Sequence, residues 1–570
     1  MVQQIAHLAL LDGASHNDLY IISKAGNFGE LTGNVHRDLM HEFAANICID
    51  EHELVTPYVD PKSSSLEQGT ATMLLPHVLF SNLEKGYPSR FDELFCGEDL
   101  ESFWNSALEK EDERIMNHPC LMNSCDWKKQ TIPIFIHGDG VEFQERDTLM
   151  VWSWGPLLSK ASSLETNMLI GAIPKSCTAS GTWSPVMQLL VWSFNALLMG
   201  LHPSLDNFGN AFEKMTKFDL VKGQPLTNMG YRCVIWSIQG DHEFFSNVLG
   251  LPHWNSLSPC WECDALKNHA GSLEKWVKNI RPDLQNFNRV TYAQSVESPP
   301  ADHPLFSIPG VTSLMVRGDA LHILYTKGVY AHLLGSILHY MCWKNGPGSR
   351  QVVSPCKRLA LLFTHIQKYY KELGSTTRLT NLRLSMFTSE KKPHASHAFL
   401  TAKGGECKHL APALKKVCDD VFNIDNPVEQ NMILALESLT AVSSIFDSAE
   451  VIPSNGDWLI MMAQINLFFE SYHALNAWAL SQGRNLFHIV MKHHTLLHLI
   501  ENARFLSPKV TWCFKAEDYV GKISHIGHSV AMGVRSTRLS GKIMAKYKLM
   551  LHLSFTRGTR ALDFDEDKDE

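Results

Sequence analysis

Three stretches in succession, TIPIFIHGDGVEF (Thr131 to Phe143), RDTLMVWSWGPLL (Arg146 to Leu158) and ETNMLIGAIP (Glu165 to Pro174), carry β-branched and aromatic residues between short polar breaks. Runs of this length and content read as strands. Trp183-Ser184-Pro185 then suits a helix start, with serine as cap and proline in the first turn. The apolar run behind it, Val186 to Leu201, is too short for an ordinary membrane span and contains Gln188 and Asn195, so it reads as a buried helix. A fourth strand is expected in YRCVIWSIQGDHEFF, Tyr231 to Phe245. Both the first and the fourth strand end on Gly-Asp, at Asp139 and Asp241.

The order β-β-β-α-β, with acids closing the first and fourth strands, is the connectivity of a ribonuclease-H-like fold. The expected class is therefore α/β (α+β), a ribonuclease-H-like catalytic core interrupted by a large, mainly helical insertion. Residues 1–128 read as a mixed, mostly helical region broken by polar turns such as DPKSSSLEQG. Residues 129–250 form the first part of the core, 251–505 the helical insertion with a Cys-x-x-Cys, and 506–570 a final core helix, a basic stripe and an acidic tail. No internal repeat is apparent. The formal charge of −8 means that any nucleic-acid contact must come from a local patch. Thirteen cysteines, an odd number scattered without a framework, suit reduced thiols, and the first residues lack the pattern of a secretory signal.

Phosphodiester chemistry uses a few carboxylates to clamp two divalent cations, and Mg2+ accepts such sparse acidic sites. Asp139 and Asp241 supply two acids, and Glu517, near the start of a helical pattern, is the best third. Read singly, the two aspartates are equally turn residues, and Glu517 an acid that favours a helix N-terminus. Cys260 and Cys263 have metal-ligand spacing but are half a structural Zn2+ site. His269 is near them in sequence, while His494 and His498 share a helical face at i, i+4. HHTLLH is no zinc-protease motif, because Thr495 stands where that motif needs glutamate. Tyr519 to Leu562 contains no acid and holds Lys522, Arg535, Arg538, Lys542, Lys546, Lys548, Arg557 and Arg560, a candidate phosphate track ahead of the tail DFDEDKDE.

AEDYVGKI, Ala516 to Ile523, resembles the terminal acid-aromatic-glycine-lysine signature of CACTA (En/Spm-type, Plavaka-like) transposases. Three further blocks agree in order: Cys233 to Ala265 with its Cys-x-x-Cys, RGDALHILYTKGV with Asp319 and His322, and VMKHHTLLHL with His494 and His498. The resemblance covers residues 130 to 550. It implies a DDE triad of Asp139, Asp241 and Glu517, with Asp319 as rival second acid, and two Mg2+ ions at the carboxylates. It also makes His322, His494 and His498 candidate zinc ligands beside Cys260 and Cys263. The implied activity is DNA strand cleavage and transfer, with transposon ends and target DNA as partners, no membrane and self-association left open. A nuclear location follows from that substrate alone. Two other readings stay open: a non-enzymatic DNA-binding or scaffold derivative of a transposase, and a ribonuclease-H-like nuclease.

Overall fold

A computed structural model of the chain describes residues 2–557, apart from 14–16, 36, 40–46, 146, 269–272, 348–353, 390 and 393. His269, Arg560 and the acidic tail therefore lie outside the described residues. The protein is a mixed α+β molecule with small sheets. It divides into two compact units: the first takes 1–99, 129–234 and 515–570, the second 100–128 and 235–514. In this division 100–128 falls with the mainly helical unit, and the chain enters each unit more than once.

In the first unit, β1 (His52–Val59) and β2 (Leu66–Met73) form an antiparallel hairpin. The stretch DPKSSS, read from sequence as a break between helices, is its turn, held by Asp60 accepting from Lys62 N and Ser63 Oγ at 2.9 Å each. The larger sheet contains β3 (Thr131–Gln144), β4 (Asp147–Pro156), β5 (Met168–Pro174) and β6 (Arg232–Gln239) in the order β5-β4-β3-β6. β3 is buried on both faces from Thr131 to Gly138, the pattern of a central strand.

One expectation is corrected here. The strand does not stop at His-Gly-Asp-Gly: Asp139 lies inside β3, opposite Val151, and β3 continues to Gln144. Neither Gly138 nor Gly140 has a left-handed φ, so the Asp-Gly pair makes no turn. The helix after β5 spans Trp183–Met199 with Thr182, not Ser184, at the cap position. It ends on Gly200 at φ 69°, a conformation that costs glycine least. Ser193 on this helix lies 2.8 Å from His77 Nδ1 on the helix Pro76–Gly86. The C-terminal helix Leu539–Arg557 covers the hairpin and β5, where Ser540 Oγ accepts from Thr72 N at 3.1 Å and Tyr547 OH from Leu169 N at 3.0 Å.

The second unit begins within β6, where Ile238 pairs in parallel with Val316. Most of it is helical, built around Val329–Trp343, whose residues through Cys342 are all buried. Pro355–Glu372, Gly404–Val421, Pro427–Ser448 and Asn455–Ser481 are its other long helices. Among the described residues no helix is long and apolar enough to cross a membrane.

Candidate metal centre and acidic residues

Cys260, Cys263, His494 and His498 come together in the second unit, all buried, with their ligand atoms within 4.8 Å of one another. Cys263 Sγ lies 3.4 Å from His494 Nε2 and 3.3 Å from His498 Nε2, and the two nitrogens are 3.0 Å apart. Bond lengths of a tetrahedral zinc site, about 2.3 Å to sulfur and about 2.0 Å to nitrogen, place neighbouring ligand atoms about 3.3–3.8 Å apart. The observed edges approach those of such a tetrahedron. The donor set, two thiols and two imidazoles, suits a closed structural Zn2+ site.

Local sequence explains each half. The two histidines sit one turn apart on the buried face of the helix Met491–Asn502. Cys260 and Cys263 lie in a long stretch with little regular structure, where Cys260 Sγ accepts the Glu262 amide at 3.4 Å and Val290 N donates to Glu262 O at 3.0 Å. A small apolar cluster of Ala265, Val277, Trp276, Phe287 and Met491 packs round the thiols.

The outer shell is also built. His498 Nδ1 lies 3.0 Å from Glu501 Oε2, the carboxylate partner that orients a metal-binding imidazole. Arg289 pairs with Glu262 at 3.2 Å and with Glu501 at 3.5 Å. Burial pushes the Glu262 carboxyl up, but Arg289, His498, Arg317 and the Asn502 hydrogen bond together outweigh it and hold the group below the usual range. Sequence reading missed Glu501, Glu262 and Arg289. Only Glu501 left a signal, three residues after His498 on one helical face.

His322 does not join this group. Its Nδ1 lies 2.5 Å from Asp319 Oδ2. Asp319 is 3% exposed, and it accepts from Leu321 N at 2.9 Å, His322 N at 3.2 Å and Cys513 N at 2.8 Å. It behaves as a structural acid that closes the turn after Val316. Asp319→Ala would leave three backbone donors buried without this acceptor, and the expected cost is about 2–4 kcal/mol of stability. Denaturant unfolding of the full chain measures it; a loss below about 1 kcal/mol would contradict this role.

Asp241 is differently placed. It follows β6 and caps the short helix His242–Asn247, accepting from Phe244 N at 2.6 Å. Lys492, on the histidine helix, feels both acids: burial pulls its ammonium down to about 8, and Asp319 and Asp241 work against that fall. Lys492 Nζ donates to the carbonyls of Thr326 and Lys327 at 3.2 and 2.8 Å.

In the first unit, Asp139 is half-buried on β3 and Glu517 is exposed near the start of the helix Phe514–Ala531. That helix lies along β3. Ser524 Oγ donates to Glu142 O at 2.6 Å, and His528 Nδ1 is 3.1 Å from Phe143 O. At the helix start Lys515 Nζ donates to Ala161 O at 3.1 Å and Asp518 accepts from Ser163 Oγ. Residues 161–163 follow β4, whose last residue, Pro156, lies opposite Ile134 near the start of β3. Helix and strand therefore run parallel. From Ser524 back to Glu517 is about 10 Å on one helix face, and from Glu142 back to Asp139 is about 10 Å of strand. Glu517 thus stands at the level of Asp139.

No family model matches the chain, and no curated protein matches it.

The basic stripe is partly neutralised within its own unit. Lys522 pairs with Asp518 and Lys548 with Glu51, each at 2.9 Å, and Lys546 donates to Ser529 Oγ at 2.6 Å. Among the described residues of the stripe, Arg535, Arg538 and Lys542 are exposed cations.

A further set of histidines in the second unit carries a pH prediction. His332 packs 5.8 Å from His488 and 6.2 Å from His493, and His397 stacks on His488 at 3.9 Å. Burial, then His493, His488, Lys492 and His397, push His332 far below its ordinary value of 6.5. Burial, then His397 and Lys278, pull His488 down to about 4. The folded unit keeps these rings neutral while the unfolded chain protonates near 6.5, so stability falls as pH drops from about 6.5 towards about 4. Thermal unfolding should show a midpoint that falls across this window, and His488→Gln should flatten the fall. An unchanged slope in the variant would remove His488 from the account.

Proposed function

We propose that the chain is a transposon-derived DDE-type DNA transposase of the CACTA kind, acting in the nucleus on element ends and target DNA. Asp139, Asp241 and Glu517 are its catalytic carboxylates, and Cys260, Cys263, His494 and His498 hold a structural zinc ion. The observation that carries the reading is the parallel run of the Phe514–Ala531 helix along β3, which sets Glu517 level with Asp139. The sheet order supports it for Asp139, which then belongs to a central strand of the sheet.

Bound at the carboxylates, two Mg2+ ions would supply a Lewis acid and lower the pKa of the attacking hydroxyl. The chain's own part is to hold the acids and to keep DNA in place. β3, buried as far as Gly138, fixes the backbone under Asp139, and the cap bond to Phe244 N fixes the side chain of Asp241. Among the described residues of the stripe, Arg535, Arg538 and Lys542 are exposed cations that can meet phosphates.

Asp241 takes precedence over Asp319 as second acid, because Asp319 is already committed to three amides and His322. Asparagine caps helices as well as aspartate does, so Asp241→Asn separates chemistry from folding. The test incubates the full chain with Mg2+ and DNA carrying cut element ends. Joined strands in the wild type, lost in Asp241→Asn and kept in stable preparations of Asp319→Asn, are the expected result. Cut ends without joining would indicate a nuclease. No Mg2+-dependent product with DNA still retained would indicate a non-enzymatic binding derivative.

A further inference from the structure

Of the two residues between Cys260 and Cys263, Trp261 does more than fill the knuckle. Trp261 is 7% exposed, and its ring lies 5.3 Å from His242 and 5.7 Å from Phe245, both on the helix that Asp241 caps. Its Nε1 donates to Val316 O at 3.4 Å. Val316 is the residue that pairs in parallel with Ile238, near the end of β6. One side chain therefore touches the helix behind Asp241 and the strand pairing before it. Its own backbone is held at both sides, by Cys260 and Cys263.

We propose that Trp261 is a positioning residue that passes metal binding at Cys260, Cys263, His494 and His498 to the turn that orients Asp241. The physical reasoning is short. With the four ligands held by one ion, the segment Cys260 to Cys263 cannot shift without breaking metal bonds, and the indole is fixed with it. The fixed ring then presses on His242 and Phe245 and ties down Val316. Without metal the knuckle is an irregular loop, and the ring loses its anchor. The Asp241 carboxylate would then keep its cap only as well as a six-residue helix can hold it alone. The functional weight of this coupling rests on the reading of Asp241 as a catalytic acid; the coupling itself does not.

The test uses the full chain loaded with Co2+, whose visible spectrum reports a tetrahedral sulfur-nitrogen site, and follows hydrogen exchange at Phe244, the amide donated to Asp241. In the wild type, removing the metal should speed this exchange about tenfold, as local opening of the turn becomes easier. Trp261→Ala should keep the spectrum yet exchange at the metal-free rate, with no further change on chelation. Trp261→Phe keeps a ring and loses the donor to Val316, so it should recover part of the protection. Wild-type protection in metal-loaded Trp261→Ala would overturn the proposal. If Trp261→Ala fails to fold or to hold Co2+, Trp261→Phe decides: faster exchange under an unchanged spectrum supports the coupling, and wild-type exchange overturns it. Asp241→Asn, which retains a cap, should show the same metal-dependent exchange whatever happens to strand joining. A failure of the catalytic assignment would thus appear in the DNA assay alone.

Discussion

Cys263→Ser should strip the metal from the second unit and loosen the stretch around it. Its sulfur lies within 3.4 Å of both imidazole nitrogens and is one of the four corners of the group. The wild-type chain, purified with Zn2+ present, should carry about one ion per molecule and the variant about none. Metal binding in isolated zinc-finger peptides contributes about 10–16 kcal/mol. Here the helix Met491–Asn502 is already packed, so the loss should be a fraction of that, about 3–5 kcal/mol and confined to the second unit. Unfolding would then separate into two transitions, because the first unit keeps its hairpin, β3, β4 and β5 without need of the metal. Two further observations bear on it: ligands must lose protons to bind, so affinity should fall in acid, and a chelator should reproduce the variant in the wild type. A variant that keeps its zinc and its single transition would show that the four residues are only a polar corner of the core.

Asp139→Asn should lower Mg2+-dependent strand cleavage by about 10³-fold, in line with losing one charged element of a preorganised site. The fold should not notice. Asp139 is half-buried, and the oxygen that accepts from Gly140 N at 2.7 Å persists in asparagine. Glu517→Gln should have an effect of the same order. The informative measurement is the double variant. Carboxylates that work as a unit give non-additive losses, so Asp139→Asn with Glu517→Gln should be scarcely slower than either alone. Two independent, multiplying losses would place the acids in separate roles, and full activity in either single variant would end the DDE assignment. Because Glu517 is exposed, added salt weakens its distant interactions more than those at the half-buried Asp139.

Much of the sheet was legible. The runs Thr131 to Phe143, Arg146 to Leu158 and Glu165 to Pro174, and the strand before Asp241, correspond to β3, β4, β5 and β6, since buried strands announce themselves by β-branched and aromatic content. The hairpin of β1 and β2 was not. LEQGTATM offers few such residues, and its first three positions are exposed, so what holds it is the partner strand and the C-terminal helix. Asp139 was misplaced at a strand end because Gly-Asp-Gly mimics a turn. The strand passes through it because β4 supplies Met150, Val151 and Trp152 as register partners. The candidate zinc ligands divide the same way. His494 and His498 show their common face in sequence, whereas His322, taken from the same kind of block, turns to Asp319 instead.

By itself, then, the sequence determined what local periodicity and residue type can determine: four strands and a buried helix in order, a Cys-x-x-Cys with ligand spacing, two histidines on one face, acids near strand ends and a stretch of cations free of acids. Only the tertiary structure decided which of these meet. Cys263 and His494 are 231 residues apart along the chain and 3.4 Å apart in space. Lys548 is spent on Glu51, and Asp319 on three amides. The division has one physical cause. Strand and helix preferences arise from neighbours within a few residues, while a metal tetrahedron, a neutralised lysine or a buried carboxylate is a property of packing between segments whose separation no local pattern records.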